Sequence, residues 1–196
     1  MSTRGGKEVS RGTPSGLGKV LRELVLPIAV ALALAFVVQA TAAKPYKIPT
    51  GSMYPTIKPN DRIIANRLIY HVRSIHRGDI VVFDPTSSAR ATCPEEGLGD
   101  APFVKRVIGV GGDLVQVRQN GPTLVNGRPL EVHDAGPNPV SASWRVPKGQ
   151  LLLLGDNRAE SCDAHLWKPD PFVPESNVIG QAEVIYWPPS DWGFLN

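Results

Sequence analysis

A mainly β, antiparallel domain carried behind one N-terminal transmembrane helix is the architecture that this chain of 196 residues predicts. Three observations carry that reading. The stretch from Leu24 to Ala43 is apolar and holds no charge. Everything beyond it breaks into short runs of β-branched and aromatic residues between Gly, Pro, Asn and Asp. The 19 glycines and 19 prolines suit a domain of many turns and few helices.

Residues 1–18 are polar and Gly-rich with no periodicity, which predicts a disordered cytoplasmic tail. Residues 19–43 form the predicted anchor. Its apolar part, LVLPIAVALALAFVVQATAA, has about 20 residues, long enough to cross a hydrocarbon core of roughly 30 Å as a helix. Pro27 falls near its first turn, where a missing N–H costs little, and Gln39 and Thr41 fall near the polar boundary. Arg4, Lys7, Arg11, Lys19 and Arg22 come before it, a positive head that keeps the N-terminus cytoplasmic and puts residues 44–196 outside. The same charges supply part of the net +3 and the pI near 9.0, so the basic balance reads as a topology signal and not as a nucleic-acid patch. A cleavable secretory leader is the alternative, since Ala40-Thr41-Ala42 has a small-x-small pattern. The apolar run is longer than the usual leader core of roughly 7 to 15 residues, which favours a retained anchor.

The remaining residues, about 150, suffice for one domain with a sizeable core. Strands are expected at Ile63-Ile64-Ala65, Asp79 to Phe83, Val104 to Val110, Leu114 to Val117, Leu151 to Leu154 and Ala182 to Trp187. Asn120-Gly121 and Asn126-Gly127 are hairpin signals, because both central residues of a type I′ turn need positive φ, and Thr123-Leu124-Val125 fits a strand between them. Pro85 to Ala101 lacks a pattern and reads as an exposed loop. Trp187, Trp192 and Phe194 suit either a core or a membrane interface.

Among residues able to do chemistry, Ser52 stands in Pro49-Thr50-Gly51-Ser52-Met53-Tyr54-Pro55, where two prolines fix the backbone on either side. A serine hydroxyl is a poor nucleophile at neutral pH and needs a base within reach. Lys105 is the candidate. Strand alternation sends it to the face of Phe103 and Val107, with Arg106 joining Val104 and Ile108 on the other. Burial there lowers a lysine pKa towards the range where it accepts a proton. The alternative is a stem lying along the surface with its charge in water. A Ser-His-Asp triad from His71, His76, His133 or His165 is the weaker idea, because none stands in a catalytic context. The two cysteines and four histidines lack zinc-type spacing, and no metal or other cofactor is expected.

Four segments in order after the anchor resemble the bacterial type I signal peptidases, membrane-bound serine proteases. They are Ile48 to Thr56, Gly78-Asp79-Ile80-Val81-Val82-Phe83, Lys105 to Asp113, and Gly155-Asp156-Asn157-Arg158 continuing to Ser161 and Asp163. The resemblance implies a β fold of the signal-peptidase and repressor-autoprotease type, with Ser52 as nucleophile and Lys105 as general base. It implies that Thr50 joins the Ser52 N–H in an oxyanion hole, that Ser161 orients the lysine, and that Asp163 supports that loop. Asp156, Asn157 and Arg158 read as a polar turn bracing the site. Ile48, Met53 and Val104, with Tyr46 further out, match positions that shape pockets for small residues, so cleavage after Ala-x-Ala through an acyl-enzyme is expected.

The implied partners are signal peptides of exported preproteins, the lipid bilayer and the secretion translocon, with no nucleic acid. The implied location is a bacterial plasma membrane, crossed once. Two positions depart from the family's usual pattern. Ala164-His165 stands where Ser-Arg is usual, and Gly111 where a proline is common. Cys93 and Cys162 would both face an oxidising space, so they form either a disulfide tying the loop to the active-site turn or two free thiols. Two other functions fit parts of the chain: a repressor-type Ser/Lys autoprotease, which lacks a reason for the anchor, and an anchored β-rich binding module in which Ser52 and Lys105 are surface residues.

Overall fold

The computed structural model describes residues 18, 21–96, 100–130 and 137–195, and the chain divides into two units, residues 1–41 and 42–196. The tail expected to be disordered and His133 lie outside the described residues. In the first unit a π-helical turn, Leu21–Val25, leads into an α-helix, α1, Leu26–Ala42, of 17 residues. Among the described residues no helix is long and apolar enough to cross a membrane. The expected continuous span from Leu24 to Ala43 is thus divided. Pro27 lacks the N–H that would bond the Glu23 carbonyl, so the regular α ladder starts only beside it, and Ala43 already belongs to a strand.

The second unit is built on antiparallel strands, as its turn-rich composition implies. They are β1 Ala43–Lys47, β2 Arg62–Asn66, β3 Ile80–Phe83, β4 Phe103–Val110, β5 Leu114–Val117 and β6 Thr123–Val125. Then follow β7 Arg128–Pro129, β8 Ala142–Arg145, β9 Gln150–Leu154, β10 Phe172–Pro174, β11 Val178–Trp187 and β12 Gly193–Phe194. The larger sheet runs β1-β2-β11-β3-β4-β9-β10 with β12 on the side of β11, and a second sheet runs β7-β6-β5-β8.

The larger sheet is covered on both faces, which is why its middle strands read as continuous apolar runs instead of alternating ones. Within β3, Val81 and Phe83 join one core with Phe103, Val107 and Leu153, while Ile80 and Val82 join another with Ile48, Met53 and Val104. Lys105 pairs with Val81 in register, so it shares the face of Phe103 and Val107, as the alternation predicts. Ile108 departs from prediction and packs with that same core. A register shift between Val107 and Gly109 resets the alternation there.

Of the two hairpin signals, Asn126-Gly127 has positive φ at both residues, 52° and 80°, whereas at Asn120-Gly121 only Asn120 does. The segment Pro85 to Ala101 is not simply an exposed loop. Its middle is a helix, α3, Ser87–Thr92, capped by the Thr86 hydroxyl accepting from the Ala89 N–H, with a four-residue α2 at Ile69–Val72 earlier in the chain. Cys93 follows α3, fully buried and disulfide-bonded to Cys162. Of the two expectations for the cysteines, the bridge holds.

Candidate active site

The turn that carries Ser52 is fixed from three directions. Ile48 donates to Asp61 O at 2.9 Å and Asn60 donates back to Ile48 O at 2.7 Å, which holds the entry. Ile57 N donates to Met53 O at 2.9 Å, closing the exit. The 155–158 turn then straps on: Asn157 N donates to Ser52 O and Asn157 Nδ2 to Gly51 O, both at 3.1 Å. That close approach requires a glycine at 155, because a Cβ there would collide with Ser161 Oγ and Ser52 O. Ser52 itself is 4% exposed.

Beneath the strap lies a buried ion pair that the sequence reading did not anticipate. Arg106 donates from Nε to Asp156 Oδ1 at 2.7 Å and from Nη2 to Oδ2 at 2.6 Å, and the Thr56 hydroxyl donates to the same carboxylate. Asp156 and Asn157 therefore brace the serine's turn, in keeping with the polar-turn reading, while Arg158 ties the strap itself through Gly155 O at 3.0 Å.

Lys105 is fully buried on β4. Burial pushes its ammonium below the usual lysine range, while the charges of Glu96 and Asp163 oppose that fall. Its Nζ lies 3.0 Å from Glu96 Oε2, close as an ion pair although not aligned as a hydrogen bond. The hydrogen bond expected from Ser161 is not made. Ser161 Oγ is buried and, among the described residues, bonds to nothing. Burial would raise the Asp163 carboxyl, but the contact with His165 at 2.7 Å, the Gly155 N–H at 2.8 Å and the Lys105 charge hold it below the usual carboxylate range.

Glu96 is the residue that sequence reasoning missed. It is 7% exposed, and its Oε2 accepts from Ser52 Oγ at 3.1 Å and from Thr50 Oγ1 at 3.0 Å as well as facing Lys105. The available signal was the cysteine pair, since bridging Cys93 to the Ser161–Asp163 turn also draws Glu96 towards the serine. A cavity of about 390 Å³ opens in front of Ser52 and is lined by Tyr46, Ile48, Thr50, Met53, Glu96 and Val104 among others, which brings every expected pocket residue together. Among the described residues no histidine contacts Ser52. His165 pairs with Asp163, and His71 and His76 sit apart on an exposed connector.

The β domain thus holds a buried serine in an apolar cleft, with a buried lysine behind a shared carboxylate, an arrangement suited to a serine hydrolase. A family model described as signal peptidase, peptidase S26, matches residues 21–187, and the chain belongs to that family. It is 40% identical over 178 residues to a signal peptidase I of Leptolyngbya laminosa, covering 89% of this chain and 84% of that one. It is 37% identical over 191 residues to a probable signal peptidase I-2 of Synechocystis, covering 96% and 84%. A solved signal peptidase I from Enterococcus faecalis V583 aligns at a TM-score of 0.42 with 24% identity, over 56% of this chain and 97% of that one. The chain is a serine endopeptidase with signal peptidase I function, acting on the signal peptides of preproteins.

Proposed function

We propose that this peptidase removes signal peptides after Ala-x-Ala sites at the outer face of a bacterial plasma membrane, with Ser52 as nucleophile and Lys105 as general base. The observation that carries the reading is a lysine without solvent exposure on the strand beside the serine's cleft. Neutral Lys105 takes the proton as Ser52 Oγ attacks the scissile carbonyl. The oxyanion then collects hydrogen bonds from the Thr50 hydroxyl and the Ser52 N–H. Collapse expels the new N-terminus, which receives the proton from Lys105, and water hydrolyses the acyl-enzyme by the same route in reverse. Asp163, whose charge reaches Lys105, supports the lysine's position, and the orienting role expected of Ser161 would require its hydroxyl, unbonded in this arrangement, to turn to Nζ.

Specificity for small residues follows from the apolar lining by Ile48, Met53 and Val104, with Tyr46 at the outer pocket. An extended substrate laid beside Ser52 adds main-chain hydrogen bonds. The test is a labelled preprotein with a single Ala-x-Ala site. The full chain cuts it once, after the second Ala, and Thr50→Val does so about 10²- to 10³-fold more slowly. Cleavage that tolerates a large residue at either Ala position would sink the pocket assignment.

The same reading places α1 with its preceding turn across the bilayer, N-terminus inside, and the exposed Trp192 and Phe194 at the lipid surface. In support, Leu24, Leu26, Ile28 and Leu32 are each more than half exposed, a poor state for apolar side chains in water. With 17 residues α1 does not suffice alone, so the crossing requires the Leu21–Val25 turn to lengthen it. The translocon would then hand over the substrate beside the enzyme. The full chain is expected to stay with the membrane pellet in alkaline carbonate, and its release into the supernatant would refute the anchor.

A further inference from the structure

Three polar groups of the site converge on one oxygen. Glu96 Oε2 accepts from Thr50 Oγ1 at 3.0 Å and from Ser52 Oγ at 3.1 Å, and stands 3.0 Å from Lys105 Nζ. The Glu96 oxygen takes up the Thr50 hydroxyl, one of the two donors assigned to the oxyanion, and lies against Ser52 Oγ, as the terminal carboxylate of a cleaved peptide would. Glu96 also lines the cavity with the residues assigned to substrate pockets. It is held there by its own connections. Glu96 N donates to Cys93 O at 3.2 Å, and Cys93 is bonded to Cys162, between Ser161 and Asp163.

We propose that Glu96 is an internal, product-like latch, whose carboxylate fills the oxyanion position and pairs with Lys105 until the substrate's scissile carbonyl displaces it. The inference rests on the Ser52/Lys105 reading. While latched, the lysine is paired with an anion and the Ser52 proton points at Glu96, so the dyad is idle. When the carboxylate withdraws, Lys105 stays buried without its nearest counter-charge. Desolvation then favours its neutral form, so the base is made as substrate arrives. A substrate-free peptidase beside a membrane full of proteins is thereby kept quiet.

The charged groups near Lys105 are Glu96 and the exposed Glu95 from the turn after α3, and Asp163 from the loop after β9. His165 faces Asp163, and Arg106 faces Asp156. Glu96 raises the lysine pKa, and catalysis needs the neutral lysine, so removing the charge moves the acid limb of the kcat/KM profile to lower pH. An opposite charge this close shifts a pKa by about one to three units, and a shift of about one unit or more is expected in both Glu96→Gln and Glu96→Ala. Glu96→Ala, which also empties the oxyanion position, is expected to lower KM for an Ala-x-Ala peptide and to react about tenfold faster with a fluorophosphonate at pH 6. Glu95→Gln, which removes only the weakest of these charges on Lys105, should move the acid limb far less than the Glu96 variants and leave KM unchanged.

The measurement is the pH profile of peptide cleavage by the full chain in detergent, with Ser52→Ala alongside. An acid limb unmoved in both Glu96 variants, or activity as low as that of Ser52→Ala, overturns the latch. Activity surviving in Ser52→Ala instead overturns the nucleophile assignment, a separate failure. Should the variants not fold, the wild type decides: in a crystal structure of the phosphonylated enzyme, Glu96 must have left Lys105, and a retained contact refutes the proposal.

Discussion

Ser52→Ala and Lys105→Met are each expected to lower cleavage of an Ala-x-Ala preprotein by at least about 10⁴-fold, the size of loss that follows removal of a nucleophile or its base from a serine protease. The changes are small where stability is concerned. Ser52 loses one oxygen whose partners, Thr50 and Glu96, still bond to each other. In Lys105→Met the apolar replacement suits a position packed with Val81 and its core, and Glu96 keeps two hydroxyl donors. Initial rates and thermal melting measured together separate lost chemistry from lost fold. A folded Lys105→Met enzyme with more than about a hundredth of wild-type activity would remove the lysine from the mechanism. The base would then have to be Glu96, the carboxylate already within 3.1 Å of the serine hydroxyl.

Asp156→Ala is expected to cost about 3–5 kcal/mol, because it leaves the Arg106 guanidinium charged and buried without its carboxylate. For a domain of this size about 2–4 °C of melting temperature goes with each kcal/mol, so a fall of about 6–20 °C should appear. The pair is worth more to the site than to the sheet. Asp156 also receives the Thr56 hydroxyl from the far end of the serine's turn, and its neighbour Asn157 holds Gly51 and Ser52. Residual activity at low temperature should therefore fall too. Arg106→Met combined with Asp156→Leu should recover most of the stability but not the rate, since no charge is then stranded. A melting temperature within 2 °C of wild type for Asp156→Ala alone would show, at about 2–4 °C per kcal/mol, that the pair contributes little.

The strands that bury one whole face were legible in the chain, because the alternation or apolar run and the flanking Gly, Pro and Asn were present together, as in β4, β5 and β9. Strands at the sheet margins were not. β1, β8, β10 and β12 carry Lys, Pro, Ser and Gly, and they form because a neighbouring edge is there to pair with, a fact no local window contains. The buried lysine was legible from the face it shares with Phe103 and Val107. Glu96 was not, since a carboxylate amid Pro, Gly and Asp has no local mark of burial. Its position depends on Cys93, whose carbonyl it bonds and which is bridged to Cys162, 69 positions after that cysteine. Arg106 and Asp156 illustrate the same limit, being brought together only because Arg106 pairs with Leu154, two residues before the aspartate.

The order of the strands determines when this protease can begin to act. β11, near the carboxyl end, lies between β2 and β3, so two strands formed from the first half of the domain have no common neighbour until residues 178–187 are in place. The serine's turn likewise waits for the 155–158 strap, and Glu96 waits for Cys162. A chain made from its amino end therefore passes through synthesis with its serine, lysine and brace unassembled. The assembled cleft arrives only with the last strands, so a prematurely terminated product would lack it.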